Sequence, residues 1–192
     1  MRRMEQGAAT GLTEEARRAR KRFMCGYRRM MREAKRVSLT VLVWGPSPDS
    51  KSPIAKKRVE IRDKLIELGH NAMFSEEVDG GESELSAKSK EFAQAKAADL
   101  IIILPEDAPG AIGEAHDFCE YPDIAPKVFV LVPKKYRQGY SGRGLFRDLE
   151  KGYGAVCWYG EGDMRSCEVL RRAVARVEAR RQMIYRGGRH CE

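Results

Sequence analysis

The chain has 192 residues, of which 42% are hydrophobic and 33% are charged. A chain of this length builds one hydrophobic core but hardly two, so we predict a single main domain. It has no apolar stretch near the roughly 20 residues that cross a bilayer, and it lacks the apolar segment of a secretory signal. We therefore expect a cytoplasmic protein with no membrane partner.

The net charge of +8 is concentrated at the two ends of the chain. Residues 1–37 contain 12 basic and 4 acidic residues, residues 38–164 contain 16 and 21, and residues 165–192 contain 8 and 3. A dedicated nucleic-acid-binding fold would carry its basic surface on the body of the domain, which is acidic here. Binding to nucleic acid is left open only for the basic ends. The five cysteines are odd in number and show no C-x-x-C spacing, which argues against a disulfide framework or a zinc site. We predict no metal and no cofactor.

The first predicted element is a basic helix over residues 13–36. Thr13 followed by two glutamates is typical of a helix N-terminus, and large apolar residues recur at helical spacing, namely Phe23, Tyr27, Met30 and Met31. Such a helix docks on the domain or on a second subunit, or it contacts nucleic acid or acidic lipid. We predict a helical extension over residues 1–37, an α/β domain over residues 38–184 and a basic tail over residues 185–192.

From residue 38 onward, short apolar segments alternate with amphipathic ones. The predicted strands are residues 38–44, 70–74, 99–104, 127–132 and 155–159. The predicted helices cover about 54–68, 83–97, a segment that begins near Pro109, and 164–183. Strands separated by helices favour right-handed parallel crossovers, so we predict a five-stranded, parallel, doubly wound sheet of flavodoxin-like or Rossmann-like type. Residues 99–104, apolar on both faces, are predicted to form the central strand.

Ligands bind such sheets beyond the carboxyl ends of the strands. After the first strand, Gly45 permits close approach of the backbone, Pro46 follows, and the hydroxyls of Ser47 and Ser50 are suited to a phosphate or a sugar. The alternative is that these residues form only a turn. After the fourth strand, residues 133–144 are basic and rich in glycine, which is typical of a lid over a polyphosphate and equally of an ordinary flexible loop.

The loop and helix after the central strand contain the most informative residues. Pro109 suits the first turn of a helix, and Gly110 exposes backbone N–H groups that are able to bind an anion. Glu114 follows one turn later, and small residues such as Ala111 leave room for a ligand beside it. His116 has either a structural role or a ligand contact.

These segments resemble one known family. Residues 98–104 (ADLIIIL), followed by residues 108–115 (APGAIGEA), look like the nucleoside 2-deoxyribosyltransferase-like group, which is related to the bacterial TIR-like N-glycosidases. Residues 41–48 (VLVWGPSP) match the first loop of that group, and the resemblance spans roughly residues 38–160. Relatives commonly have serine where this chain has Ala108 and Ala111, so the substrate is expected to differ more than the fold.

The resemblance implies that Glu114 acts on the anomeric carbon of a ribosyl or deoxyribosyl group. It also implies a second acid that assists the departing base, with Asp107 favoured over Glu106 and Asp117, and a homo-oligomer whose neighbouring subunit completes the site. The predicted function is therefore an N-glycosidase or N-deoxyribosyltransferase that acts on a nucleoside, a nucleotide or NAD. The alternatives are a non-catalytic nucleotide-binding sensor and a nucleic-acid-associated protein. The predicted substrate-binding residues are Gly45, Pro46, Ser47, Pro109, Gly110, Ala111 and His116.

Overall fold

The computed structural model describes residues 13–78, 86–106 and 108–187. The chain separates into two compact units at the junction between residues 37 and 38, which is the position predicted for the start of the α/β domain. Within the described residues, none of the helices is long and apolar enough to cross a membrane.

The first unit contains the predicted basic helix, α1 (Glu14–Lys35). Its N-terminus is capped by Thr13, whose hydroxyl accepts a hydrogen bond of 3.2 Å from the backbone N–H of Ala16. The rings of Phe23 and Tyr27 are stacked 6.3 Å apart, and the two residues are 69% and 45% exposed. The predicted apolar stripe therefore lies at the surface of this unit.

The second unit is built on a five-stranded sheet with the order β2-β1-β3-β4-β5. Its strands are β1 (Thr40–Trp44), β2 (Asn71–Met73), β3 (Leu100–Ile103), β4 (Val128–Pro133) and β5 (Val156–Tyr159). All four neighbouring pairs are parallel. The predicted doubly wound α/β fold is confirmed, and β3 is the central strand, as expected for a segment whose residues are all buried.

Helices cover both faces of the sheet. They are α2 (Pro53–Glu67), α3 (Ala87–Ala97), α4 (Pro109–Cys119), α5 (Tyr140–Arg143), α6 (Leu145–Tyr153), α7 (Glu161–Arg165) and α8 (Glu168–Gly187). Successive residues of a strand point to opposite faces, and one face of β1 and β3 packs with α4 and α6 into a single apolar cluster. On the other face, α2 packs against α8, and both helices contact the sheet.

The C-terminal helix differs from the prediction of one helix over residues 164–183. It is divided into α7 and α8 because Ser166 has an extended backbone, and its hydroxyl accepts a hydrogen bond of 3.3 Å from the N–H of Glu168. A serine whose hydroxyl accepts a hydrogen bond from the first N–H groups of the following helix marks the start of a new helix. Helix α8 runs to Gly187, so the first residues of the predicted basic tail are helical.

The prediction of a long loop at residues 133–144 is also wrong. This segment forms a 3₁₀ turn at Lys134–Tyr136 and then α5, and α6 follows directly after it. Neither α5 nor α6 was predicted. The turn and α5 pack closely, since a Cβ atom at Gly142 would overlap the carbonyl of Tyr136. The glycines that suggested flexibility therefore permit close packing.

Candidate functional site

The end of β1 lies very close to the end of β3. The N–H of Leu104 donates a hydrogen bond of 2.9 Å to the carbonyl of Trp44, and a Cβ atom on Gly45 would lie 3.0 Å from the carbonyl oxygen of Leu104. Only glycine fits this approach without displacing backbone. Gly45 therefore has a packing role at the carboxyl edge of the sheet, where the sequence predicted a ligand.

The hydroxyls of the first loop stabilise the loop itself. The Ser47 hydroxyl accepts a hydrogen bond of 3.3 Å from the N–H of Asp49, and the Ser50 hydroxyl accepts one of the same length from the N–H of Ser52. Ser47 is exposed, whereas Pro46 is buried. These contacts are those of a Ser-stabilised turn, which favours the alternative interpretation of this segment as a turn.

A buried arginine connects the loops that follow β1 and β2. The guanidinium of Arg58, on α2, donates to the carbonyls of Val43 and Pro46 at 2.9 Å each and to both carboxylate oxygens of Glu76 at 2.8 and 2.7 Å. It also lies over the ring of Phe74, 4.3 Å from the centroid. Arg58 was not among the predicted site residues, because one charged residue on an amphipathic helix carries no sign that it is buried.

The contact with Arg58 favours the ionised form of Glu76. Burial alone would raise the pKa of its carboxyl, but the hydrogen bonds from Arg58 and from the backbone outweigh that effect and hold the pKa below its ordinary value. The pair fixes a negative charge in the turn after β2, at the same edge of the sheet as Gly45.

Glu114 lies in the first half of α4 and is half-buried. Its side chain extends back toward the helix N-terminus, since a Cβ atom on Gly110 would be 3.7 Å from its Oε1 atom. The pKa of the Glu114 carboxyl is raised to about 7, first by burial and then by the negative charges of Glu91 and Glu76, whereas Arg58 opposes the rise. A carboxyl with such a pKa exists in both protonation states near neutral pH, which is typical of functional sites.

The charges of Glu76 and Glu91 thus act on the Glu114 carboxyl, and we call these three residues the carboxylate cluster. Glu91 lies on α3, and burial raises the pKa of its carboxyl. Beside the cluster, a cavity of about 300 Å³ opens between α3 and the turn after β2, and its lining consists of Ser75, Glu76, Ala87, Lys90, Glu91 and Gln94. Of these three residues only Glu114 was predicted, because Glu76 and Glu91 come close to it only through the fold.

The other predicted residues at the start of α4 have different surroundings. Pro109 is the first residue of the helix, as predicted, and Gly110 is exposed. The Ala108 cap makes no side-chain hydrogen bond. Ala111 is only 5% exposed and belongs to the apolar core, so its methyl group is turned toward the sheet.

His116, for which the sequence left open a structural role or a ligand contact, lies on a different side of α4 from Glu114. Residues two apart on an α-helix point in nearly opposite directions, about 200° apart. The Nε2 atom of His116 lies 3.4 Å from the Ser141 hydroxyl, and its ring stacks on Tyr140 at 6.4 Å. The histidine therefore belongs to the contact between α4 and α5.

The candidates for the second acid have separate environments. Asp107, which the sequence favoured, lies outside the described residues. Glu106 accepts hydrogen bonds of 2.9 Å from the hydroxyl of Tyr159 and 2.7 Å from Nζ of Lys135. Asp117 forms a surface ion pair of 2.6 Å with Lys88. Among the described acids, Glu91 and Glu76 are the two whose charges raise the pKa of Glu114.

The described part of the chain contains no group of three or more His, Cys, Asp or Glu side chains suited to a metal ion. No protein-family model matches the chain, and no curated protein is significantly similar to it.

Proposed function

We propose that this protein is an N-glycosidase or N-deoxyribosyltransferase that acts on the base–sugar bond of a nucleoside, a nucleotide or NAD. The observation that supports this proposal most strongly is Glu114, a half-buried carboxyl near the N-terminus of the helix after the central strand, with a pKa of about 7. The edge of the sheet on which it lies is the usual ligand site of such folds.

The cleavage of a base–sugar bond produces positive charge, which the carboxylate cluster is suited to stabilise. As the bond from the anomeric carbon to the base nitrogen breaks, its electron pair leaves with the base and the sugar becomes oxocarbenium-like. Ionised Glu114 stabilises this positive charge or bonds to the carbon as a glycosyl ester. Water then releases the sugar in hydrolysis, whereas a second base receives it in transfer.

The negative charges that raise the pKa of Glu114 favour the transition state. Glu91 and Glu76 disfavour a third negative charge beside them, but they attract the positive charge that develops on the sugar. An interaction that strengthens as the bond breaks accelerates the reaction, whereas uniform binding does not. The cluster is therefore arranged to stabilise a cation that exists only during the reaction.

A second acid has to protonate the departing base. The sequence favours Asp107 for this role. Within the described residues, Glu91 is the alternative, because burial raises the pKa of its carboxyl and its charge acts on Glu114. A Glu91→Gln variant that loses activity toward natural bases but retains it toward a base with a good leaving group would assign the role to Glu91.

One observation favours the second candidate function, a nucleotide-binding sensor without catalysis. The cap of α4 is Ala108, which makes no side-chain hydrogen bond, and Ala111 faces the core. A helix N-terminus with no hydroxyl still binds an anion through its backbone N–H groups, but it positions that anion less firmly for a reaction.

The deciding experiment compares the wild type with Glu114→Gln and with Glu120→Gln, a matched change at an exposed glutamate that follows α4. Each protein is incubated with a panel of nucleosides, nucleoside monophosphates and NAD, and the free base is measured by liquid chromatography. We expect base from the wild type and from Glu120→Gln but not from Glu114→Gln. Undiminished release by Glu114→Gln would contradict the proposal, and calorimetric binding without any product would favour the sensor.

The resemblance to the deoxyribosyltransferase-like group also predicts a homo-oligomer. The Glu76 side chain is 50% exposed, so the carboxylate cluster has an open side that a neighbouring subunit is able to close. Light scattering coupled to gel filtration measures the mass. A monomer that turns over substrate at full rate would contradict this part of the proposal.

A further inference from the structure

A second cavity of about 370 Å³ lies at the carboxyl edge of the sheet, beyond the ends of β3, β4 and β5. Its lining consists of Pro53, Ile54, Glu106, Pro133, Lys134, Lys135, Tyr159, Gly160, Glu161, Met164 and Arg165. The volume falls within the range of about 300–1,000 Å³ that is typical of small-molecule sites.

This cavity is distinct from the carboxylate cluster. None of Glu76, Glu91 and Glu114 belongs to its lining, and the smaller cavity beside the cluster shares no residue with it. Because β3 is the central strand, the cluster lies toward β2 and the second cavity lies toward β5. The two sites occupy the same edge of the sheet on either side of its centre.

Apolar side chains form much of the wall. Pro53 and Ile54 begin α2, Pro133 ends β4, and Met164 lies on α7. Ile54 is 2% exposed, so this part of the wall is fixed by the core. Rigid apolar walls of this kind suit the flat body of a heterocyclic base.

One carboxylate is held inside the cavity in a fixed orientation. The Glu106 side chain is 19% exposed, and each of its oxygens accepts one hydrogen bond, from the Tyr159 hydroxyl at 2.9 Å and from Nζ of Lys135 at 2.7 Å. Tyr159 itself is 2% exposed. A carboxylate has about four acceptor sites, so Glu106 retains acceptor capacity for the hydroxyls of a ribose, a role that acidic residues have in other nucleotide sites.

Two cations remain at the rim for a phosphate. Lys135 is neutralised by Glu106, but Lys134 and Arg165 have exposed side chains and form no ion pair with the described acids. Glu161 is the remaining acid of the lining, so positive charge is in excess. An arginine and a lysine together bind phosphate oxygens by charge-assisted hydrogen bonds.

We infer that this cavity binds a nucleoside monophosphate, with the base against the apolar wall, the ribose at Glu106 and the phosphate at Lys134 and Arg165. The ligand is a second nucleotide, bound apart from the group that Glu114 attacks, and it serves as an acceptor or as a regulator of the neighbouring site. The role as acceptor or regulator rests on the proposed function, whereas binding itself does not, because no residue of the carboxylate cluster lines this cavity.

The test is titration calorimetry with AMP on the wild type and on Glu114→Gln. The Glu114→Gln substitution prevents turnover of AMP during the measurement. Lys134→Glu and Arg165→Glu are then added to Glu114→Gln, with Lys151→Glu as the matched control, because Lys151 is exposed on α6 and outside the cavity. Inorganic phosphate and adenosine are titrated in parallel. Circular dichroism verifies that each variant is folded.

We expect saturable AMP binding of similar affinity to the wild type and Glu114→Gln, weakened by about tenfold or more by either charge reversal at the rim and unaffected by Lys151→Glu. Inorganic phosphate and adenosine each bind more weakly than AMP. The inference is overturned by an absence of saturable AMP binding, by full affinity in both rim variants, or by phosphate that binds as tightly as AMP. Loss of AMP binding in Glu114→Gln alone would also overturn it and would place the nucleotide at the carboxylate cluster.

Discussion

Arg58 donates hydrogen bonds of 2.8 and 2.7 Å to the two carboxylate oxygens of Glu76, and its own side chain has no solvent exposure. The same guanidinium binds the carbonyls of Val43 and Pro46. One side chain therefore holds the end of β1, the loop after it and the turn after β2 in a fixed relation. The position of the Glu76 charge relative to Glu114 depends on this contact.

We predict that Arg58→Lys lowers the free energy of unfolding by roughly 2–4 kcal/mol. Lysine keeps the charge but loses the planar fork, so buried carbonyls and half of the bidentate contact are left without a donor. Urea unfolding measures the change. The control is Arg62→Lys, because the Arg62 side chain is 23% exposed in its ion pair with Glu77. This substitution is expected to lower the free energy of unfolding by less than about 1 kcal/mol. Equal effects at the two positions would show that Arg58 has no special structural role.

Gly45→Ala is expected to destabilise the protein by about 1–3 kcal/mol. The new methyl group would lie 3.0 Å from the backbone carbonyl oxygen of Leu104, which cannot move without disturbing β3. Gly152→Ala is the matched control, since no atom lies within 4 Å of that position and alanine in a helix is more stable than glycine by about 0.5–1 kcal/mol. Thermal unfolding should shift in opposite directions for the two variants. A stabilising effect of Gly45→Ala would contradict the close approach of β1 and β3.

The centre of the sheet was predictable from the sequence because β3 and β4 are buried on both faces. All residues of β3 and β4 are buried, which produces continuous apolar runs that hardly any other element of this length shows. Helices α5 and α6 were not predicted, although Phe146 and Leu149 of α6 occupy helical spacing and are buried. The glycines around them indicated a loop, and their packing role depends on contacts that no local pattern contains.

The candidate site was predictable only in part. Glu114 and the start of α4 follow directly from a local pattern of Pro, Gly and small residues after an apolar strand. Glu76 and Glu91 lie on other segments, and their interaction with Glu114 requires the complete sheet order. His116 follows Glu114 by only two residues, but the rotation of about 100° per residue places the two side chains on different sides of α4.

A buried histidine is expected to make the fold sensitive to acid. Burial lowers the pKa of His70 below its ordinary value of 6.5, and the charge of Arg181 lowers it further, whereas Glu178 at 3.6 Å opposes the change. A lowered pKa favours the neutral form in the folded state, so this contribution to stability is present above about pH 6.5 and is lost as the pH falls. The Nδ1 atom also accepts a hydrogen bond of 3.3 Å from the N–H of Leu39. Only the neutral ring has an unprotonated nitrogen that is able to accept this bond.

His70→Asn should therefore reduce the loss of stability between about pH 7 and pH 5, where a single histidine contributes at most about 1.4 kcal/mol per pH unit. Asparagine retains an acceptor near the position of Nδ1 without a titratable proton. Urea unfolding across this range measures the slope, and His116→Asn on α4 is the control. An unchanged slope in His70→Asn would assign the acid sensitivity to other groups.

Glu114→Gln should stabilise the protein at alkaline pH. The pKa of Glu114 rises to about 7 in the fold, so its contribution to stability is fully present below about pH 4.5 and is lost as the pH rises through 7. Glutamine removes the cost of ionisation, and the expected gain is on the order of 1–3 kcal/mol at about pH 8.5 and close to zero at about pH 4.5. Urea unfolding at both values tests this, with Glu120→Gln as the exposed control. A gain that does not change with pH would mean that the ionisation of Glu114 is not the cause.

The rate of the proposed reaction should follow the ionisation of the same carboxyl. As a nucleophile or as a stabiliser of positive charge, Glu114 acts only in its ionised form, so kcat/KM should rise about tenfold per pH unit at low pH and level off above a midpoint near 7. A single-turnover assay of base release over about pH 5–9 measures the profile. A rate that falls through the same midpoint would indicate that protonated Glu114 donates to the departing base. The nucleophile would then have to be another member of the carboxylate cluster, with Glu76 favoured because Arg58 keeps its pKa below the ordinary value.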